Sequence, residues 1–64
     1  MKLDRVKVIS EMARKHITVK ELSKVSGLSR VTITNVRAGK DCSTATAYSI
    51  SRALEVDVSE LEET

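Results

Sequence analysis

Along the chain, apolar and short polar residues recur in one arrangement: an apolar residue, then Ser, Thr or Asp, then an apolar residue four positions beyond the polar one. This spacing is a hydrophobic staple around a helix N-cap, in which the flanking apolar pair fixes the angle at which the chain enters the helix. Ile17, Thr18 and Leu22 form the fullest case, because Glu21 adds the acid of a capping box. Val56, Asp57, Glu60 and Leu61 form a second complete box, and Leu28, Ser29 and Ile33 a third staple with Thr32 at the box position. Leu3, Asp4 and Val8, then Cys42, Ser43 and Ala47, give shorter versions. Together they predict helices near residues 4 to 15, 19 to 26, 30 to 38, 44 to 54 and 58 to 62. The helical period places Val6, Ile9 and Ala13 or Met12 inward, followed by Leu22 and Val25, Ile33 and Val36, Ala47, Ile50 and Leu54, and finally Val58 and Leu61. Tyr48 is expected to pack in the core beside the fourth helix.

Each helix is too short to be stable alone, so the five are expected to share one core in a compact, all-α domain over residues 1–64. Gly27 and Gly39 bracket the third helix, at positions where a chain leaving a helix often needs a positive φ. The connection Ser26, Gly27, Leu28, Ser29 between the second and third helices is tight. Ser23 is small enough for those helices to cross closely. The expected unit is a helix-turn-helix at about residues 18 to 38.

Charge sharpens the picture. Residues 1–40 hold ten Lys or Arg against three Asp or Glu, a formal +7, whereas residues 41–64 hold one against six, a formal −5. A basic first part with an acidic tail suits a polyanion-binding surface with a solvated far side; solvation of helix faces is the plainer alternative. One Tyr and no Phe or Trp argue against stacking single-stranded bases on aromatic platforms. Cys42 is the only cysteine, so no internal disulfide forms, and with only His16 to join it no zinc set is supported. The staple reading makes Cys42 a small apolar residue rather than a nucleophile. His16 has no identifiable Ser, Cys or carboxylate partner and reads as a surface or capping residue at the end of the first helix. No enzyme and no cofactor are expected. The start of the chain lacks the apolar run of a secretory signal, and no apolar stretch reaches the ~20 residues that span a bilayer. A cytoplasmic setting without membrane contact is the expectation.

The third helix carries the most specific chemistry. With Ile33 as the core direction and about 100° per residue, Val31, Thr34, Asn35 and Ala38 project away from the core, with Arg30 at the exposed N-terminal edge. That face has no acid. Arg can donate two hydrogen bonds to guanine, Asn can pair with adenine, and Val or Thr can pack on a thymine methyl. Arg37 lies nearer the core side, within reach of an acid or the backbone.

Residues 17 to 40, ITVKELSKVSGLSRVTITNVRAGK, resemble the helix-turn-helix of the lambda-repressor and Cro-like (XRE) family. The likeness rests on Ile17 and Thr18, Glu21 and Leu22, Ser23, Gly27, Leu28 and Ser29, Arg30, Thr32, Ile33, Val36, Gly39 and Lys40. SISRALEVDVSEL is similar to the family's fourth helix and the start of its fifth, so the likeness covers roughly residues 5 to 61. It implies a five-helix lambda-repressor-like fold and a bacterial or phage transcriptional repressor or related regulator that binds double-stranded DNA through residues 30–38. By the same resemblance, the base contacts fall on Arg30, Val31 and Asn35, with Thr34 in addition, and the phosphate contacts on Thr18, Ser29, Thr32 and Lys40. Val19 stands where many members have a Gln that touches phosphate, and Glu55 where Gly frequently ends the fourth helix.

A competing reading is a protein-interaction module on the same scaffold without DNA binding. Similar proteins bind two half-sites as dimers. The expectation is therefore either a weak homodimer on a palindromic operator, formed through the last helices, or the DNA-binding part of a longer protein.

Overall fold

Four short polar side chains open the four helices of the computed structural model, which describes residues 1–63. Asp4, Thr18, Ser29 and Ser43 each have extended backbone and accept a hydrogen bond from an amide in the first turn, which satisfies a donor that the helix cannot. Behind them run α1 (Arg5–Arg14), α2 (Val19–Ser26), α3 (Arg30–Arg37) and α4 (Thr44–Ala53).

The helices end as systematically as they begin. His16, Gly39 and Glu55 have φ of 53°, 87° and 59°, and after each the next amide donates five residues back: Ile17 to Met12 at 3.0 Å, Lys40 to Asn35 at 3.1 Å and Val56 to Ser51 at 3.0 Å. This is the Schellman closure, which uses up carbonyls that the helix leaves open. His16 is thus the exposed end-cap of α1. Gly27, at φ 76°, ends α2 in the left-handed region as well.

The expected fifth helix is a single 3-10 turn, Val58–Glu60, so the described residues contain four α-helices rather than five. Its box forms as expected, with Asp57 accepting from Ser59 and Glu60 from Asp57. The helix stops there because the backbone that follows pairs with the N-terminal segment. The Asp4 amide donates to the Leu61 carbonyl at 2.7 Å and the Glu63 amide to Lys2 at 3.1 Å, flanking an antiparallel bridge between Leu3 and Glu62.

Leu3, Val8, Met12, Leu22, Ile33, Val36, Ala47, Ile50, Leu54 and Leu61 form the buried core. On α1 the expected inward face is corrected. Val6 is 62% exposed and Ile9 and Ala13 are exposed; Met12, the expected alternative to Ala13, is buried, and so is Val8. Val6 stands about 200° round from Val8, and the Leu3–Val8 staple around Asp4 selects the face that carries Val8 and Met12. On α2 the inward row is Leu22 with half-buried Ser26, one turn on, which leaves Val25 65% exposed. On α4, Ala47, Ile50 and Leu54 are buried as expected, but Ser51 rather than Tyr48 joins them. Tyr48 falls outside that row and is 48% exposed; Ser51 satisfies its buried hydroxyl by donating to the Tyr48 carbonyl at 2.9 Å. Val58 is half-buried against the core. No helix among the described residues is long and apolar enough to cross a membrane.

Candidate nucleic-acid interface

α2 and α3 are held at their crossing by hydrogen bonds as well as by size. The Ser23 hydroxyl donates to the Leu28 carbonyl across the turn, and the Leu28 amide donates to Ser26 Oγ at 3.2 Å. With Gly27 left-handed between them, the connection has one well-defined path. Leu22 on α2 and Ile33 and Val36 on α3 are buried beneath it. The sequence marks Ser23 as small; its hydroxyl has a further task that size alone does not reveal.

That crossing fixes which side of α3 faces outward. Arg30, Val31, Thr34 and Ala38 are exposed, Val31 to 71%. Asn35 is half-buried at the edge of this face. At the start of α3, Ser29 Oγ accepts from the Thr32 amide at 3.1 Å and lies 2.9 Å from Thr32 Oγ1, so the two hydroxyls form one polar pair. Lys40 is exposed beyond Gly39 at the opposite end of the helix. The arrangement therefore brings Arg30, Val31 and Thr34 together on one exposed face, with Asn35 at its margin, Ser29 and Thr32 at one end and Lys40 at the other.

Thr18 opens α2 in a reciprocal capping box. Its Oγ1 accepts from the Glu21 amide at 3.1 Å and its own amide donates to Glu21 Oε1 at 3.0 Å. The Thr18 amide, followed by its hydroxyl, holds the Glu21 carboxyl below its ordinary pKa. The helix start already carries one carboxylate, while the Val19 and Lys20 amides beside it have no acceptor among the described residues. Val19 itself is half-buried against the core, consistent with an apolar residue at that position.

Arg37 is half-buried on α3, and its Nε has no hydrogen-bond partner among the described residues. The described ion pair is elsewhere, Glu11 with Arg14 at 3.0 Å on α1. Cys42 is half-buried and packs on the core as a staple residue should; burial pushes its thiol pKa up, which keeps it protonated near neutrality.

A short helix held across a second by a tight glycine turn, with its outer face free of acids and set in a basic half of the chain, defines a helix-turn-helix DNA-binding unit. The chain belongs to the Cro/C1-type helix-turn-helix DNA-binding domain family, whose model matches residues 7–64. No curated protein matches it. Two solved structures, native PhpD with cadmium atoms and PhpD with cadmium complexed with hydroethylphosphonate, are similar in fold, each with a TM-score of 0.85 at 22% identity. The likeness covers 100% of this chain and 14% of theirs, so the chain corresponds to a small part of those longer proteins.

Proposed function

We propose that the domain is a sequence-specific regulator of transcription, acting as a repressor, that reads duplex DNA by laying α3 in the major groove. Arg30, Val31, Thr34 and Asn35 contact base edges; Thr18, Ser29, Thr32 and Lys40 contact phosphates. The observation that carries this reading is the outer face of α3: a 71%-exposed Val31 flanked by Arg30 and Thr34, with no carboxylate anywhere on the helix. In the major groove a thymine methyl can pack on Val31, and Arg30 beside it can donate two hydrogen bonds to a guanine. The open amides of Val19 and Lys20 at the start of α2 suit a phosphate oxygen, with Thr18 beside them.

Selection of binding sites from random duplexes, followed by titration against salt, tests the reading. About four to six phosphate contacts per protomer give a log-log slope near −4 to −5. A flat salt response, or tighter binding to single strands, would overturn it. Recovery of a protein partner with no duplex binding would establish the interaction-module alternative. A palindromic consensus bound by two copies identifies the dimeric mode, and a single half-site the monomeric one.

A further inference from the structure

Arg5, the first residue of α1, is separated by more than thirty positions from the loop that follows α3, yet the two meet. Arg5 Cδ lies 3.6 Å from where a β-carbon on Gly39 would stand. The Cys42 amide donates to the Met1 carbonyl at 2.9 Å, tying the residues before α1 to the far side of the same loop. Arg5 is exposed, and its guanidinium has neither an ion pair nor a hydrogen bond among the described residues. The simplest structural task for a cation here would be to cap the carbonyls that end α3. Three of those carbonyls already have donors: Thr34 and Asn35 accept from Ala38, Asn35 also from Lys40, and Val36 from Gly39, at 3.0 to 3.1 Å. The nearby acid Asp4 is likewise engaged, its Oδ1 accepting from the Val6 and Lys7 amides. Asp41, exposed in the same loop, offsets part of the local charge but makes no ion pair with Arg5 among the described residues.

We propose that Arg5 is a DNA-backbone contact that acts beside Lys40, so that the start of α1 and the loop after α3 together hold the phosphates flanking the base-reading face. The proposal rests on the reading of α3 as the major-groove helix and adds a residue from an element outside the helix-turn-helix. The Arg5 stem lies beside Gly39, the neighbour of Lys40 in the chain, and its free planar guanidinium can take a phosphate through two hydrogen bonds.

The test compares the full chain with Arg5→Ala, Arg5→Gln, Lys40→Ala and the Arg5→Ala/Lys40→Ala double variant. Each is titrated with the selected duplex and a random duplex over a range of salt, with melting temperature as the control. Losing one phosphate contact lowers the slope by about 0.9, which at 0.1 M salt is roughly an eightfold weakening relative to 1 M. Arg5→Ala and Arg5→Gln should each show that loss on both duplexes with unchanged melting temperature, and the double variant should lower the slope by about two units. Wild-type affinity and slope in both Arg5 variants would remove the contact while leaving the α3 reading intact. A loss confined to the selected duplex would overturn it as a backbone contact. Failure of the wild-type chain to bind duplex at all would remove the parent reading and this one together.

Discussion

The Ser23 hydroxyl donates to the carbonyl of Leu28, closing the turn between α2 and α3 from the α2 side. A half-buried residue thereby serves two ends, its small size at the helix crossing and its hydrogen bond to a carbonyl that has left the helix. Ser23→Ala keeps the size and loses the bond, so it should lower stability by about 1 kcal/mol. Ser23→Leu should lower it by roughly 1 to 3 kcal/mol through overpacking of the crossing. Urea denaturation of the two variants separates these contributions, and equal stability of Ser23→Leu and wild type would show that the crossing does not depend on the size of this residue.

The left-handed positions make a reciprocal pair. Glu55 occupies φ 59° with a β-carbon, and Gly27 occupies φ 76° without one. Glu55→Gly should stabilise the domain by about 1 kcal/mol, because the penalty for a side chain in this region exceeds the entropy that glycine adds to the unfolded chain. Gly27→Ala should destabilise it by about 1 to 2 kcal/mol. Nothing lies within 4 Å of the added β-carbon at Gly27, so this loss is conformational rather than steric. For a domain this small, each kcal/mol moves the melting temperature by about 4 to 8 °C, which a thermal melt resolves readily.

Acid should weaken the two capping boxes. Glu21 and Asp57 are held below their ordinary values of 4.5 and 3.8, Glu21 first by the Thr18 amide and Asp57 first by the Ser59 amide. A carboxylate whose folded pKa is depressed contributes stability that is present above its unfolded pKa and is lost as pH falls through the folded value. Glu21→Gln should therefore melt below wild type at neutral pH, and the gap should close as the pH drops past the lowered Glu21 pKa. A gap that stays constant down to pH ~2, below the ordinary carboxylate range, would show that the charge on Glu21 contributes nothing.

Base readers and phosphate contacts should separate by what they change. Asn35→Ala and Arg30→Ala should each lose about 1 to 3 kcal/mol on the preferred site while barely altering affinity for random duplex. Lys40→Ala should weaken both and lower the salt slope by about one unit. Folded Asn35→Ala and Arg30→Ala proteins that retain wild-type site preference would rule out α3 as the reader.

The helix starts were legible in the sequence because capping is local: Asp4, Thr18, Ser29, Ser43 and Asp57 act on amides two or three residues away, and each stands where its staple predicts. The helix-turn-helix and the outer face of α3 followed from the same short-range rules, with Ile33 and Val36 fixing the inward direction. Tertiary structure alone decided what depends on residues distant in the chain. Which apolar residues of α1 turn inward depended on the shared core, into which Val8 and Met12 pack while Val6 stays in water. The last element is a single turn because the amides of Asp4 and Glu63 bond across to Leu61 and Lys2, a pairing between the two ends of the chain that periodicity does not encode. Arg5 reaches Gly39 for the same reason: the fold brings the start of α1 against the end of α3, and helical periodicity describes only the neighbours within one helix.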